Sequence, residues 1–198
     1  MSTDKMLNLR EKVREVYSAA AESPEDKHPF PVGRKFAESL GYSAEWLDGL
    51  PSIASEAFAG VSNVSIFAEL QKGAAVLDLG CGAGLDSLIA ARRVGKGGQV
   101  IGVDFGESML ERAFQAARGE GSANIHFALA GAEKIPLRTS SVDVAMVNGI
   151  FNLNPERASI FNELSRVVRK GGAAYIAELI LKKRPWFPAK QSEDNWFA

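Results

Sequence analysis

The sequence predicts an α/β fold in which a mainly parallel sheet lies between helices on its two faces. Three observations predict it. An apolar run at 76–79 passes through alternating glycines into an apolar helix pattern. From residue 74 onward, strand patterns alternate with helix patterns, as expected of βαβ units. The chain has 198 residues, which suits one domain with a sizeable core.

The first third of the chain predicts helices and no strand. An amphipathic helix comes first, because apolar side chains recur there at helical spacing: Leu9, Val13, Val16 and Tyr17. A Pro-rich break containing His28 follows, and Ser43 is then expected to cap a short helix that Pro51 ends. We expect residues 1–72 to form a helical lid region and residues 73–198 to form the core, within one structural domain.

The core predicts five strands separated by helices or loops. The strands are expected at 74–79, 99–104, 124–129, 142–148 and 173–181. The helices are expected at about 84–94, 106–118 and 155–169. The pair Gly171-Gly172 is interpreted as the stop of the third helix. Because crossovers between parallel strands are right-handed, the carboxyl ends of the strands should meet at one edge, and a ligand should bind there.

The glycine turn after the first strand predicts a nucleotide-type ligand site. Its glycines at 80, 82 and 84 have the spacing G-x-G-x-G, and Asp78 comes just before them. Glycines permit a tight turn, close approach of a ligand and close helix packing. A dinucleotide fingerprint has a glycine or alanine where Leu85 stands here. The alternative is an ordinary turn between a strand and a helix.

A second strand pattern ends in a carboxylate at Asp104. This residue lies about one βαβ step after the glycine turn, at the expected carboxyl end of the neighbouring strand. A carboxylate there can accept both hydroxyl groups of a ribose. Asp104 alone does not distinguish NAD from other adenosine cofactors.

The ordered motifs resemble those of the class I S-adenosylmethionine-dependent methyltransferases. The glycine turn resembles their motif I, D-x-G-x-G-x-G. The stretch Asp104–Leu110 resembles D-x-s-x-x-M-L, and three later segments resemble further family motifs in the right order: 125–137, 141–148 and 163–172. The resemblance covers nearly the whole chain and implies a Rossmann-like three-layer sandwich. It also implies S-adenosyl-L-methionine as the cofactor and a small-molecule methyl acceptor.

The resemblance also implies where the parts of the cofactor bind. Its amino-acid end is expected at Asp78 and the turn residues Gly80, Cys81 and Gly82, and its ribose at Asp104. The adenine is expected beside Phe105, Met109, Gly131, Ala132 and Glu133. The methyl group should point toward Asn148. Gly131 stands where the family frequently has an aspartate, so a carboxylate bond to the adenine amine is not expected.

Within this superfamily the sequence is most similar to the arsenite methyltransferase-like group. The shared features are Val13-x-x-x-Tyr17, the segment 40–43 and the segment 148–153. Arsenite is a soft centre that needs several thiolates. Cys81 is the single cysteine of the sequence, and Gly149 and Phe151 occupy the region where that group has cysteine. Arsenite is therefore rejected as the substrate, and no metal site is expected.

No catalytic base is evident from the sequence. Tyr17, Asn148 and Asn152 are the candidate catalytic residues, and His28 and Glu56 are further candidates for a base. Two other functions remain open. One is a non-catalytic S-adenosylmethionine-binding module or truncated methyltransferase, and the other is an NAD-dependent oxidoreductase.

Composition limits the remaining function classes. The formal net charge is −1, which gives no support for a nucleic-acid or membrane partner. A single cysteine and the lack of a signal-peptide pattern favour a cytoplasmic location. Class I methyltransferases have seven strands, so strands 6 and 7 are expected to be missing. The exposed sheet edge would then permit a homodimer. The aromatic residues near the C-terminus are expected to pack on that edge, and the alternative is that they line a substrate pocket: Trp186, Phe187, Trp196 and Phe197.

Overall fold

A computed structural model describes residues 3–180, with side chains from residue 8 onward. Within this part of the chain, five strands form one sheet in the order β3-β2-β1-β4-β5, and every neighbouring pair is parallel. The strands are β1 Ala75–Leu79, β2 Gln99–Asp104, β3 Ile125–Leu129, β4 Val142–Asn148 and β5 Val168–Ala177. The predicted α/β fold with a parallel sheet is confirmed.

Helices precede the sheet and connect most of its strands. Five lie before β1: α1 Thr3–Glu22, α2 Arg34–Ser39, α3 Ala44–Asp48, α4 Ser52–Glu56 and α5 Val64–Phe67. Three lie between strands: α6 Leu85–Val94, α7 Glu107–Glu120 and α8 Arg157–Val167. Ser43 caps α3, as predicted, because its side chain accepts a hydrogen bond from the backbone N–H of Trp46. The connection between β3 and β4 contains no helix.

The two faces of the sheet bury different side chains, because successive residues of a strand point to opposite sides. Val76, Val144 and Met146 belong to a core that includes residues of α6 and of the N-terminal helices. Leu77 and Val147 belong to a second core, which includes residues of α8. Helices therefore cover both faces and give the predicted three layers. The first core is shared by residues on both sides of position 72, and the division into a lid region and a core stays a prediction.

The start of β5 differs from the sequence prediction. The strand begins at Val168, directly after α8, and its pairing passes from Val142↔Val168 to Val144↔Ala173. Four residues of β5, 169–172, are therefore accommodated in a bulge. Gly172 lies against the backbone carbonyl of Asp143, where a Cβ would collide. The interpretation of Gly171-Gly172 as a helix stop is wrong, since the pair permits this bulge.

Strand β5 forms one edge of the described sheet and exposes apolar side chains. Ile176 is 37% exposed, and Leu179, just beyond the strand, is 61% exposed. The four aromatic residues expected to pack here lie outside the described residues, and the homodimer and the cytoplasmic location stay predictions. No helix in the described part of the chain is long and apolar enough to cross a membrane.

Candidate functional site

A cavity of about 260 Å³ opens at the carboxyl edge of the sheet. It lies above the ends of β1 and β4, which are neighbours although β2 and β3 intervene in the chain. The crossovers leave these two strands in opposite directions, so the loops after them diverge and leave a crevice. Residues of α1 and the segment 54–60 form the opposite wall. The site is therefore where the topology predicts it.

The glycine turn forms the floor of this cavity. The backbone N–H groups of Gly80 and Cys81 both donate to the carbonyl of Val103, at 2.7 and 3.1 Å, which ties the turn to β2. Gly82 has a φ of +50°, and the nearest atom to a Cβ there would be the Met109 sulfur at 3.8 Å. The space above Gly82 is open to a ligand.

Asp104 joins the glycine turn to the loop after β2. Its two oxygens accept hydrogen bonds from the backbone N–H of Gly82 at 2.9 Å and of Gly106 at 2.8 Å. Burial raises the pKa of this carboxyl, although the backbone donors act in the opposite direction. A carboxylate can accept about four hydrogen bonds. Asp104 also lines the cavity, so it keeps acceptor capacity for a ligand.

Most of the residues expected to bind the cofactor are brought together around the cavity. Those that line it are Gly80, Cys81, Gly82, Asp104, Phe105, Met109, Gly131, Ala132, Glu133 and Asn148. Asp78 does not line it. The Asp78 side chain is 2% exposed and accepts a hydrogen bond of 2.6 Å from the Ser87 hydroxyl. Burial, followed by the charge of Asp86, raises the pKa of Asp78 to about 8.

Asp86 lines the cavity, and the sequence analysis missed it. One of its oxygens accepts from the Tyr42 hydroxyl at 2.6 Å and from the backbone N–H of Ser65 at 3.3 Å. The other accepts from the side-chain amide of Asn148 at 3.0 Å. Its place in the first turn of the helix that follows the glycine turn is the signal that could have identified it, since such a turn faces the ligand.

Asn148 connects the end of β4 to the N-terminal segment. Its Oδ1 accepts from the backbone N–H groups of Val61 and Ser62, at 2.8 and 3.1 Å. Its Nδ2 donates to the Ser62 carbonyl at 2.7 Å and to Asp86. Because protein groups already use both ends of the amide, Asn148 holds the cavity wall in place.

Helix α1 supplies the wall opposite the glycine turn. Arg10, Val13, Arg14 and Tyr17 line the cavity at helical spacing. Arg10 forms an ion pair with Glu133, and the guanidinium groups of Arg10 and Arg14 lie 6.0 and 5.9 Å from the centre of the Phe105 ring. These contacts bring α1 to the loops after β2 and β3.

Tyr17 is the candidate catalytic residue that projects from α1. Its ring stacks on Phe30 with centroids 4.6 Å apart. Burial and the negative charges of Asp104 and Glu178 raise the pKa of its hydroxyl. The phenol is therefore protonated at neutral pH and does not act as a base.

The other candidate bases do not line the cavity. His28 contacts the carbonyl of Ser23 at 2.9 Å, Glu56 pairs with Arg112 at 2.6 Å, and the Asn152 amide donates to Glu178 at 3.0 Å. Burial raises the pKa of the Cys81 thiol well above its usual range, so this cysteine is no nucleophile. The described residues contain no group of three His, Cys, Asp or Glu side chains arranged to hold a metal ion.

A family model described as a methyltransferase domain matches residues 70–196. The chain belongs to this family. The match spans all five strands of the sheet, and it confirms the predicted class I S-adenosylmethionine-dependent methyltransferase. The match gives no support to the alternative of an NAD-dependent oxidoreductase.

Curated relatives of this methyltransferase domain differ in their acceptors. An arsenite methyltransferase of Halobacterium salinarum is 37% identical over 146 residues, which is 73% of this chain and 37% of the relative. A demethylmenaquinone methyltransferase of Lactococcus lactis is 34% identical over 106 residues, 54% of this chain and 42% of the relative. The chain thus spans about two fifths of the length of these relatives.

Solved structures place the methyltransferase domain in the same fold. An arsenic (III) S-adenosylmethionine methyltransferase from Chlamydomonas reinhardtii has a TM-score of 0.60 and 34% identity, over 65% of this chain and 45% of that chain. A cyclase has a TM-score of 0.64 and 20% identity, over 92% of this chain and 64% of that chain. The second likeness shows the fold alone.

Proposed function

We propose that the chain binds S-adenosylmethionine in the cavity above the glycine turn and transfers its methyl group to a small-molecule acceptor. The observation that carries the proposal is Asp104, which lines the cavity and already holds the glycine turn through Gly82 at 2.9 Å. Family membership supports the same cofactor.

The lining residues fit this cofactor. Four carboxylates line the cavity, and among the described ion pairs only Glu133 of this set appears, with Arg10: Asp86, Asp104, Glu133 and Glu156. Such a wall suits a ligand with positive sulfonium and ammonium groups. Asp104 would accept the two ribose hydroxyls, and Gly131, Ala132 and Glu133 would border the adenine beside Phe105 and Met109.

The cofactor supplies an electrophilic methyl group on a sulfonium, and the protein supplies binding and alignment. When bound, the cofactor would offer this methyl carbon to the electron pair of an acceptor, with the sulfur, which would keep the electron pair of the broken carbon–sulfur bond, as the leaving group. In this step α1 and the segment 54–60 exclude water, and the wall held by Asn148 positions the acceptor. Alignment of this kind accounts for a large part of the rate.

The lining residues also restrict the acceptor. They include no histidine and no lysine among the residues that the structure describes, and the phenol of Tyr17 is protonated. The charged proton acceptors of this lining are therefore carboxylates, and a methyl acceptor that presents a free electron pair fits it. Cys81 is the single cysteine in the sequence, so the arsenite chemistry of the relatives is not proposed for this chain.

A non-catalytic S-adenosylmethionine-binding module is the second candidate. The observation that favours it is that His28, Glu56 and Asn152, three candidate bases, do not line the cavity. Transfer of labelled methyl to any member of an acceptor panel would distinguish the two candidates, because the binding module forms no methylated product.

Calorimetry with S-adenosylmethionine and S-adenosylhomocysteine tests the proposal. Asp104→Ala removes a charged acceptor for two hydroxyls, so the affinity for both ligands should fall by about 10–100-fold. Asp48→Ala is the control, since Asp48 pairs with Arg34 and does not line the cavity. Unchanged affinity in Asp104→Ala, or tight binding of NAD to the wild type, would contradict the proposal.

A further inference from the structure

We propose that Asp86, and not Asp78, receives the ammonium group of the cofactor's amino-acid end. The inference rests on the proposed function and names a binding residue for it. It also replaces the role that the sequence analysis gave to Asp78.

Access to the cavity separates the two carboxylates. Asp86 is 6% exposed, and that exposure faces the cavity that it lines. Asp78 lies two residues after Val76 on the same face of β1, so its side chain is directed under α6. There it meets Ser87, and it lines no part of the cavity. A bound ligand can therefore reach Asp86 and cannot reach Asp78.

The partners of Asp86 fix its orientation without neutralising its charge. The Tyr42 hydroxyl, the Ser65 N–H and the Asn148 amide are all neutral donors, and they occupy three of about four acceptor positions. No described ion pair involves Asp86. The remaining position is open to a charged donor, and a bond to an ammonium is stronger than one to a neutral group.

Asp78 is a poor partner for an ammonium. It is 2% exposed, and its pKa of about 8 leaves the carboxyl largely protonated at neutral pH. A neutral acid offers no counter-charge. Asp86 and Asp104 instead lie at different parts of the same cavity wall. Asp86 is in the first turn of α6, which follows β1, and Asp104 is the last residue of β2. Two separated carboxylates suit the ammonium and the ribose of one extended ligand.

Two ligands separate the ammonium from the rest of the cofactor. S-adenosylhomocysteine carries the amino-acid end, and 5′-methylthioadenosine keeps the adenosine and the thioether without it. Asp86→Asn should lower the affinity for S-adenosylhomocysteine by at least tenfold and change the affinity for 5′-methylthioadenosine by less than about twofold. Asp78→Asn should change both affinities by less than about twofold.

Tyr42→Phe is the matched control for the hydrogen-bond network. It removes one hydrogen-bond donor to Asp86 and keeps the carboxylate, so the affinity for S-adenosylhomocysteine should fall by less than about threefold. The wild-type protein gives a test that requires no variant to fold. The deaminated analogue of S-adenosylhomocysteine should bind at least tenfold more weakly than S-adenosylhomocysteine itself.

Distinct results would overturn the inference. One is an equal loss of affinity for both ligands in Asp86→Asn. Another is a selective loss of affinity for S-adenosylhomocysteine in Asp78→Asn or in Tyr42→Phe. The third is that the wild type binds the deaminated analogue as tightly as S-adenosylhomocysteine. If the wild type binds neither S-adenosylhomocysteine nor 5′-methylthioadenosine, the proposed function itself fails, which is a different outcome.

Discussion

Two aspartates eight positions apart, Asp78 and Asp86, have opposite environments. Asp78 stands at the acidic position of the glycine motif, but the alternation of side chains along β1 places it beneath α6. Asp86 lies in the first turn of α6, directly after the glycines, and lines the cavity. The spacing of acidic residues along the chain does not reveal which carboxylate meets a ligand. The packing of α6 on β1 decides it.

Asp78 should make the stability of the protein fall as the pH rises. Its pKa is about 8 in the folded protein against an ordinary 3.8, so the folded state holds the proton more tightly between these values. Its contribution is complete below about pH 4 and is lost as the pH rises through about 8. Asp78→Asn should therefore raise the free energy of unfolding, and the gain should be about 2–4 kcal/mol larger at pH 8 than at pH 5.

Urea unfolding of Asp78→Asn and the wild type across this pH range measures the difference. A gain that is the same at both pH values would contradict the buried-carboxyl explanation. Ser87→Ala provides a comparison, because it removes the hydroxyl that bonds to Asp78 and keeps the titrating group.

At the scale of single elements, the contact between α6 and α7 depends on Gly84. Its φ is +87°, and a Cβ there would lie 3.0 Å from the Cβ and 3.2 Å from the Cα of Ala113. Gly121 ends α7 with a φ of +71° and no atom within 4 Å. Gly84→Ala should cost roughly 2–4 kcal/mol and Gly121→Ala about 1 kcal/mol.

Equilibrium denaturation compares the two glycine variants directly. Both replacements force a left-handed backbone on alanine, so their difference isolates the close packing at Gly84. Equal losses of stability would show that the backbone conformation alone accounts for the cost.

Near the cavity, Arg10 of α1 forms an ion pair with Glu133 in the loop after β3. Arg10→Ala should speed dissociation of S-adenosylhomocysteine by up to about fivefold, because it removes one partly exposed ion pair between α1 and this loop. Arg34→Ala is the matched control, since the Arg34 side chain is 39% exposed against 37% for Arg10 and its partners lie away from the cavity. Stopped-flow dissociation measures both. Equal acceleration in the two variants would contradict a local role for Arg10.

The bounds of the strands were more predictable from the sequence than the contacts between residues far apart in the chain. The bounds of β2 and β4 match the prediction because each combines an apolar run with a clear polar end. The bulge at the start of β5 was missed, since a glycine pair after a helix has the same pattern whether the chain stops or loops out. Asn148 was expected to face the methyl group, but its contacts with Val61 and Ser62 join segments far apart in sequence. No local pattern encodes such a pairing.

At the scale of the whole molecule, the cavity is assembled from separate parts of the chain. These are α1, the segment 54–60 and the loops after β1, β2, β3 and β4. The alternation of strand and helix patterns predicted a ligand site at the carboxyl edge of the sheet. The rejection of arsenite as substrate, based on the single cysteine of the sequence, stays a prediction. Acceptor identity depends on side chains that meet only after folding.

The family match begins at residue 70, whereas two walls of the cavity come from residues before it. The shared region supplies the sheet, the glycine turn and Asp104. Under the proposed function, the preceding helices supply the surface that an acceptor meets. The choice of acceptor is therefore expected, under that function, to depend on this N-terminal segment as well as on the shared region.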